Sequence, residues 1–297
     1  GKKIHTGRSR NDQSLVMLRL FMKERLANID TQVQILTKTF KRKAASTKSP
    51  MPGYTHLQKA MPTSVGTWLS LFADALIDTR VLLASARNVI DQNPLGSASG
   101  FGINGLTLDR AYTTKALSFA KTQDNPLYCG MSRGYFETIA LAPLGNIMFI
   151  AGRFASDMLL FTMQEFGFFS FPPTFTTGSS IMPQKRNYDV FEIMRGNVKV
   201  FRGYEQQIRQ IIESINSNYH RDLQLTKQPF VDAITMCEKT LALLTEIVPQ
   251  IEIHADALDK AMTPDIFATD EVYKLVQKGA TFRDAYREVK ESIYGAK

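Results

Sequence analysis

Apolar residues step by three and four along the segment after Arg10: Leu15, Leu18, Met22, Leu26, Ile29, Val33, Leu36 and Phe40. Such a stripe buries one face of a helix along its whole length. The spacing predicts a helix from about Asn11 to Ser49, roughly 55 Å long at a rise of about 1.5 Å per residue. Helices of that length belong to bundles and coiled coils rather than to small compact domains. SPMPGYTHLQKAMP (49–62) ends the stripe with prolines and a glycine, and Pro62 suits the first turn of a second helix through Val65, Leu69, Phe72, Leu76 and Leu83. NPLGSASGFGING (93–105) is a glycine-rich loop, and an apolar segment then runs from Ser132 to about Phe168 with a bend expected at Pro143. Two more stripes follow, one from Val190 through Met194, Val198, Phe201, Ile208 and Ile212 to Ile215, the other from Phe230 to about Pro249. No strand pattern or repeat is apparent. The expectation is an all-α fold, an elongated helical bundle. Residues 1–254 form its central domain, and 255–297, with a shorter rhythm, begin a small helical C-terminal domain. Stripes this long bury poorly in a monomer, so an oligomeric core is expected.

Composition narrows the function classes. The chain has 297 residues, 44% hydrophobic and 22% charged, enough for a sizeable core. Its two cysteines, Cys129 and Cys237, lack neighbours at metal-ligand spacing, which argues against a disulfide scaffold or zinc motif and suits a reducing, cytoplasmic setting. The longest apolar stretch, IALAPLGNIMFIAG, is short of a membrane span and carries Asn146 and a proline. A net charge of +8 invites a nucleic-acid reading, but lysine and arginine are spread along the helices. A basic balance also suits an enzyme handling a polyanionic small molecule. Gly1 lies a few residues before a polar motif, so a piece of a longer protein is expected.

Four polar islands interrupt the apolar stripes: HTGRSRND (5–12), GYTHLQ (53–58), TTGSSIMPQKRN (176–187) and NYHRDLQLTK (218–227). Each falls at or beside a helix end. They supply His, Ser, Thr, Lys, Arg, Asn and Tyr with few carboxylates, an inventory for holding several carboxylates and moving one proton. No P-loop, dinucleotide fingerprint or metal-ligand set occurs, so no cofactor is expected. Taken singly, each island has a plain structural reading: Ser9, Asn11 or Asp12 as a helix cap, His56 as a loop residue, the Ser179–Ser180 pair as turn residues, Tyr219 and Lys227 as a solvated helix start.

Their co-occurrence is what lifts them. GSSIMPQKRN resembles the GSSxMPxKxN signature of the fumarase/aspartase superfamily, a far more specific string than a lone glycine motif. HTGRSRNDQ, GYTHLQ and YHRDLQLTK are similar to the corresponding segments of the argininosuccinate lyase family, in the same order along essentially the whole chain. The resemblance implies a fumarase/aspartase-like homotetramer whose long helices form the core, with each active site shared by three subunits. It implies β-elimination of argininosuccinate to arginine and fumarate, in arginine biosynthesis, without metal or cofactor, nucleic acid or membrane.

Residue by residue, the resemblance implies Ser179 as catalytic base on a mobile loop (173–187) and His56 as acid toward the leaving nitrogen, although the reverse assignment is open. Lys185 and Asn187 match the residues that hold the carboxylate turning into an aci-carboxylate, and Glu192 the group that orients the histidine. Ser9, Asn11 and Thr55, with Arg10 as a weaker candidate, match substrate-carboxylate contacts. Tyr219, Gln224 and Lys227 match the residues that recognise the amino-acid end. Removing a carbon proton beside an ionised carboxylate builds a dianion, which calls for preorganised donors and positive charge at that point. Departures exist as well. The family's N-terminal domain is expected to be missing from this stretch, Tyr188 stands where proline is common, His220-Arg221 replaces Asn-Lys, Leu225-Thr226 replaces an acidic pair, and SRGYFE (132–137) lacks a frequent aspartate. Three rival readings stand beside this resemblance: another superfamily lyase, a structural relative such as the lens δ-crystallins, and a basic nucleic-acid-binding bundle. HTGRSRND argues against the first and the presence of His56, Ser179 and Lys185 against the second. The third predicts a clustered basic face that the sequence lacks.

Overall fold

A computed structural model describes residues 3–295. Nine α-helices dominate them: α1 (Arg10–Ala45), α2 (Val65–Ile90), α3 (Arg110–Ala116), α4 (Pro126–Phe161), α5 (Asp189–Ile212), α6 (Lys227–Ile247), α7 (Ala255–Ala261), α8 (Ala268–Gln277) and α9 (Phe282–Tyr294). The fold is all-α, as the stripes require. The first stripe is buried as read: Met22, Leu26, Ile29 and Val33 are fully covered, and Leu36 and Phe40 nearly so. The helix stops at Ala45, short of Ser49, where Ser46 N–H turns back onto the Arg42 and Lys43 carbonyls.

Strands are short and all in two-stranded pairs: β1 (Pro50–Thr55) with β2 (Gln58–Ser64), β3 (Gln92–Asn93) with β4 (Lys121–Thr122), β5 (Phe169–Ser170) with β8 (Glu252–Ile253), and β6 (Thr177–Gly178) with β7 (Arg186–Asn187). The β1–β2 hairpin corrects the reading of 49–62 as a strandless break. Both its strands are edges, where proline costs little, and Pro52 lies opposite Pro62 beside an irregularity in register between Pro52 and Tyr54. Pro62 therefore lies inside a strand rather than starting a helix. α2 begins at Val65, and Ser64 Oγ accepts the Thr67 N–H at 3.0 Å as its cap.

By contacts the chain divides into two compact units, with boundaries inside α1, α2 and α4. The first comprises Gly1–Thr37, Asp74–Ser156 and Asp189–Ile247, and the second Lys38–Ala73, Asp157–Tyr188 and Val248–Lys297. The boundary expected at 254/255 falls within the second unit. In the first unit α5 packs along α6, and α4 supplies a fully buried row, Leu144, Met148, Ala151 and Ala155. Glycine makes one close approach possible: a Cβ at Gly152 would lie 2.9 Å from Val198 Cγ2.

α4 differs from expectation twice. Pro143 and Asn146 do not end it, so at 36 residues it is long and apolar enough to cross a membrane. But 72% of its most apolar stretch is buried inside the protein, which makes it a core helix. Its helical dihedrals break at Arg133–Gly134, not at Pro143. Gly134 takes φ +77°, and its N–H is captured by Glu137 Oε2 at 2.7 Å instead of a helical carbonyl. Any side chain there would strike Ile212, 2.3 Å from the Cβ position.

The second unit is built around aromatic rings. Trp68 stacks on Phe169 at 5.2 Å between centroids and meets Phe72 and Phe161 edge-on, while Phe40 stacks on Phe72 at 5.4 Å. Tyr54 of β1 joins this cluster through Phe161 and Phe166. Lys59 of β2 donates to the Ala261 carbonyl at 2.8 Å. The hairpin is thus anchored at its Tyr54–Lys59 pair, one step before its tip.

Candidate active site

Within the first unit, two of the four islands converge. Ser9 starts α1: its Oγ accepts the Asn11 N–H at 3.3 Å and its own N–H donates to Asp12 Oδ1 at 2.9 Å, a reciprocal cap. The other oxygen of Asp12 reaches across the unit and accepts N–H groups from Gly96 (3.0 Å) and Ala98 (3.1 Å). Asp12 is 1% exposed, so three backbone amides replace its water. Gly96 and Ala98 both have positive φ, +93° and +51°, so the glycine-rich loop curls its amides around the carboxylate as a small anion nest.

The 218–227 island closes against the same place. Gln224 Nε2 donates to the Tyr219 hydroxyl at 2.9 Å, and Lys227 Nζ donates to Ser14 Oγ, one turn into α1, at 3.1 Å. Arg133 joins the two islands: its Nη2 donates to the Asn11 carbonyl at 2.9 Å and its guanidinium lies 4.8 Å from the Tyr219 ring centre. Asn11, Asp12, Arg133 and Tyr219 share one small cavity. Ser9, Asn11, Tyr219 and Lys227 are half-buried, whereas Arg10 and Gln224 are exposed. Glu192 also belongs to this unit, exposed in the first turn of α5.

The second unit carries the remaining candidates. Thr55 ends β1, and His56 with Leu57 forms the two-residue tip, since Thr55 pairs with Gln58. His56 has φ +53° and Leu57 +60°. A tip with both residues left-handed suits Asn-Gly; a histidine and a leucine there are strained by roughly 1–2 kcal/mol each. Such strain collects where a side chain must be presented in a fixed direction. Both residues are exposed, Leu57 to 76%.

Ser179, Lys185 and Asn187 lie on one β-hairpin, with Thr177 opposite Asn187 and Gly178 opposite Arg186. Asn187 is in β7; Ser179 and Lys185 bound the connecting loop. Ser179 Oγ accepts amides from Ile181 (3.3 Å) and Met182 (3.1 Å), and the Lys185 N–H closes on the Met182 carbonyl at 3.1 Å. The loop is therefore folded on its serine. Two amide dipoles pointed at one hydroxyl oxygen favour negative charge there. Ser179 and Asn187 are half-buried, and Lys185 is exposed.

Two residues that matter have no site role in the sequence reading. Asp12 is read there only as a helix-cap candidate, three residues after Ser9, where an acidic partner completes a capping box. Arg133 has no local signal. Among the described residues no group of three or more His, Cys, Asp or Glu is placed to hold a metal ion.

Comparison with known proteins bears on this arrangement. A lyase family profile matches residues 1–203. An argininosuccinate lyase of Sorangium cellulosum strain So ce56 is 43% identical over 297 residues, which is 99% of this chain and 68% of the relative. The chain belongs to the argininosuccinate lyase family. Another member, from Xylella fastidiosa strain 9a5c, is 44% identical over 288 residues, 97% of this chain. The chain spans 64% of that relative's length. Among solved structures, EDDS lyase in complex with formate matches with a TM-score of 0.90 at 24% identity, covering 99% of this chain and 59% of that one. A class II fumarase from Schistosoma mansoni matches with a TM-score of 0.83 at 16% identity, covering 98% and 65%. These structural likenesses establish the fold.

Proposed function

We propose that the full-length protein containing this chain is an argininosuccinate lyase that eliminates fumarate from argininosuccinate and releases arginine. The observation that carries the reading is the 43% identity to a relative of that name, over 99% of this chain. The chemistry in hand agrees. One unit holds a preformed cluster of amide, phenol and ammonium groups, suited to an amino-acid end and its carboxylate. The other presents a serine, a lysine and a histidine.

In this scheme Ser179, as the alkoxide left once its hydroxyl proton has passed to solvent, takes the proton from the carbon beside a substrate carboxylate and becomes a hydroxyl again. A serine hydroxyl is a weak base, and the amides of Ile181 and Met182, with Lys185 close in sequence, supply the positive potential that an alkoxide needs. Lys185 and Asn187 hold the carboxylate on which the second negative charge develops. His56 delivers a proton toward the departing nitrogen, directly or through water, with Glu192 orienting it. Ser9, Arg10, Asn11 and Thr55 bind substrate carboxylates; Tyr219, Gln224 and Lys227 take the amino-acid end. We place the working protein in the cytoplasm as a homotetramer with sites shared among three subunits, and residues 255–297 as the start of its C-terminal domain.

Fumarate release followed by ultraviolet absorbance tests the reading, with argininosuccinate, adenylosuccinate, malate and aspartate given in parallel to the full-length protein. Turnover of argininosuccinate alone is expected. Turnover of another of the four keeps the chemistry and overturns the roles of Tyr219, Gln224 and Lys227. Silence with all four, from a folded protein, removes the enzyme reading. Within the site, Lys227→Ala should raise KM about tenfold or more while kcat changes less, the loss of one charged hydrogen bond. An unchanged KM removes Lys227 from substrate recognition.

A further inference from the structure

Arg133 has no role in the scheme above, yet it is buried in contact with two of the islands. The residue is 4% exposed. Burial pushes its guanidinium below the ordinary arginine range, while the Tyr219 phenol and Glu137 act in the opposite direction. A buried cation is costly unless its surroundings are built for it. Here the α4 break that carries it requires a glycine at 134 with φ +77°. Glu137, fully buried, pins that break through the Gly134 N–H. The far end of the arginine then meets two residues of the proposed substrate site, the Asn11 carbonyl at 2.9 Å and the Tyr219 ring at 4.8 Å.

We propose that Arg133 is a positioning residue for the amino-acid end of the substrate: it clamps the Tyr219 ring against the first turn of α1. The clamp fixes the phenol, with Gln224 hydrogen-bonded to it at 2.9 Å, relative to Asn11. The inference rests on the argininosuccinate reading and adds to it the part that holds the recognition residues in register. Lysine cannot replace the arginine, because a point charge lacks the planar fork that hydrogen-bonds one group while stacking on another.

The test uses the full-length protein with Arg133→Lys and Arg133→Gln, and reads product inhibition by arginine and by fumarate separately. The clamp predicts an arginine inhibition constant raised about tenfold or more, with the fumarate constant and kcat held within about threefold. KM for argininosuccinate should rise in step with the arginine constant. Loss of affinity for both products together, or for neither, overturns the proposal. So does loss of fold in both variants by circular dichroism and gel filtration, which would make Arg133 a structural support only. Failure of the unmodified protein to act on argininosuccinate is a different result: it defeats the functional reading, and this inference falls with it.

Discussion

The start of α1 and the tip of the β1–β2 hairpin carry site candidates in opposite ways. Around Ser9, Asn11 and Asp12 the contacts are dense: a reciprocal cap, a carboxylate held by three amides, and an arginine joining Asn11 to Tyr219. At the tip, His56 and Leu57 are exposed and share a left-handed backbone that neither residue favours. The serine hairpin stands between these extremes, ordered by its own amides but with Lys185 and Ile181 exposed. The contrast separates two tasks. Recognition of a charged end benefits from donors fixed before the substrate arrives, because ordering them afterwards would cost affinity. In the proposed scheme proton-transfer groups close onto the reacting carbon and exclude water, a task that suits exposed hairpins rather than a braced cluster.

Three substitutions sharpen or break that division, in order of expected size. Ser179→Ala should lower kcat roughly 10²–10⁴-fold, the usual reach of a positioned proton-transfer group, and leave the thermal midpoint nearly unchanged. Near-normal turnover would remove Ser179 from the chemistry. Asp12→Ala should cost about 2–4 kcal/mol of stability in denaturant unfolding, since the buried Gly96 and Ala98 amides lose their acceptor. It should also raise KM; a variant as stable as its parent would show that the brace is unimportant. Leu57→Gly is the smallest. Relief of left-handed strain should raise stability by up to about 1 kcal/mol. Activity should fall if the strain helps to aim His56, and a stabilised variant with full activity would show that it does not.

The sequence disclosed the parts of the fold governed by period. A 3.6-residue stripe over Leu15 to Phe40 can be satisfied only by a buried helical face, and those residues are buried. It did not disclose the features that depend on partners far along the chain. The acceptor of the Gly96 N–H lies 84 residues away and the Arg133–Asn11 contact spans 122, and no local pattern encodes either. The hairpin at 50–64 was hidden because its prolines, which argue against central strands, are harmless on edges. The bend in α4 was assigned to Pro143 because proline is the local signal, whereas a glycine with a carboxylate waiting three residues on makes the break. The islands themselves were legible through motif resemblance. Which unit each belongs to, and that Asp12 and Arg133 knit two of them together, required the fold.

The division between a prebuilt recognition half and a catalytic half is tested most directly by calorimetric titration of argininosuccinate into the full-length Ser179→Ala protein. The account predicts that substrate binds with a dissociation constant close to the parent's KM while no fumarate is released. Absence of binding to this folded, inactive variant would contradict it, because recognition would then depend on the serine loop rather than on the residues gathered around α1.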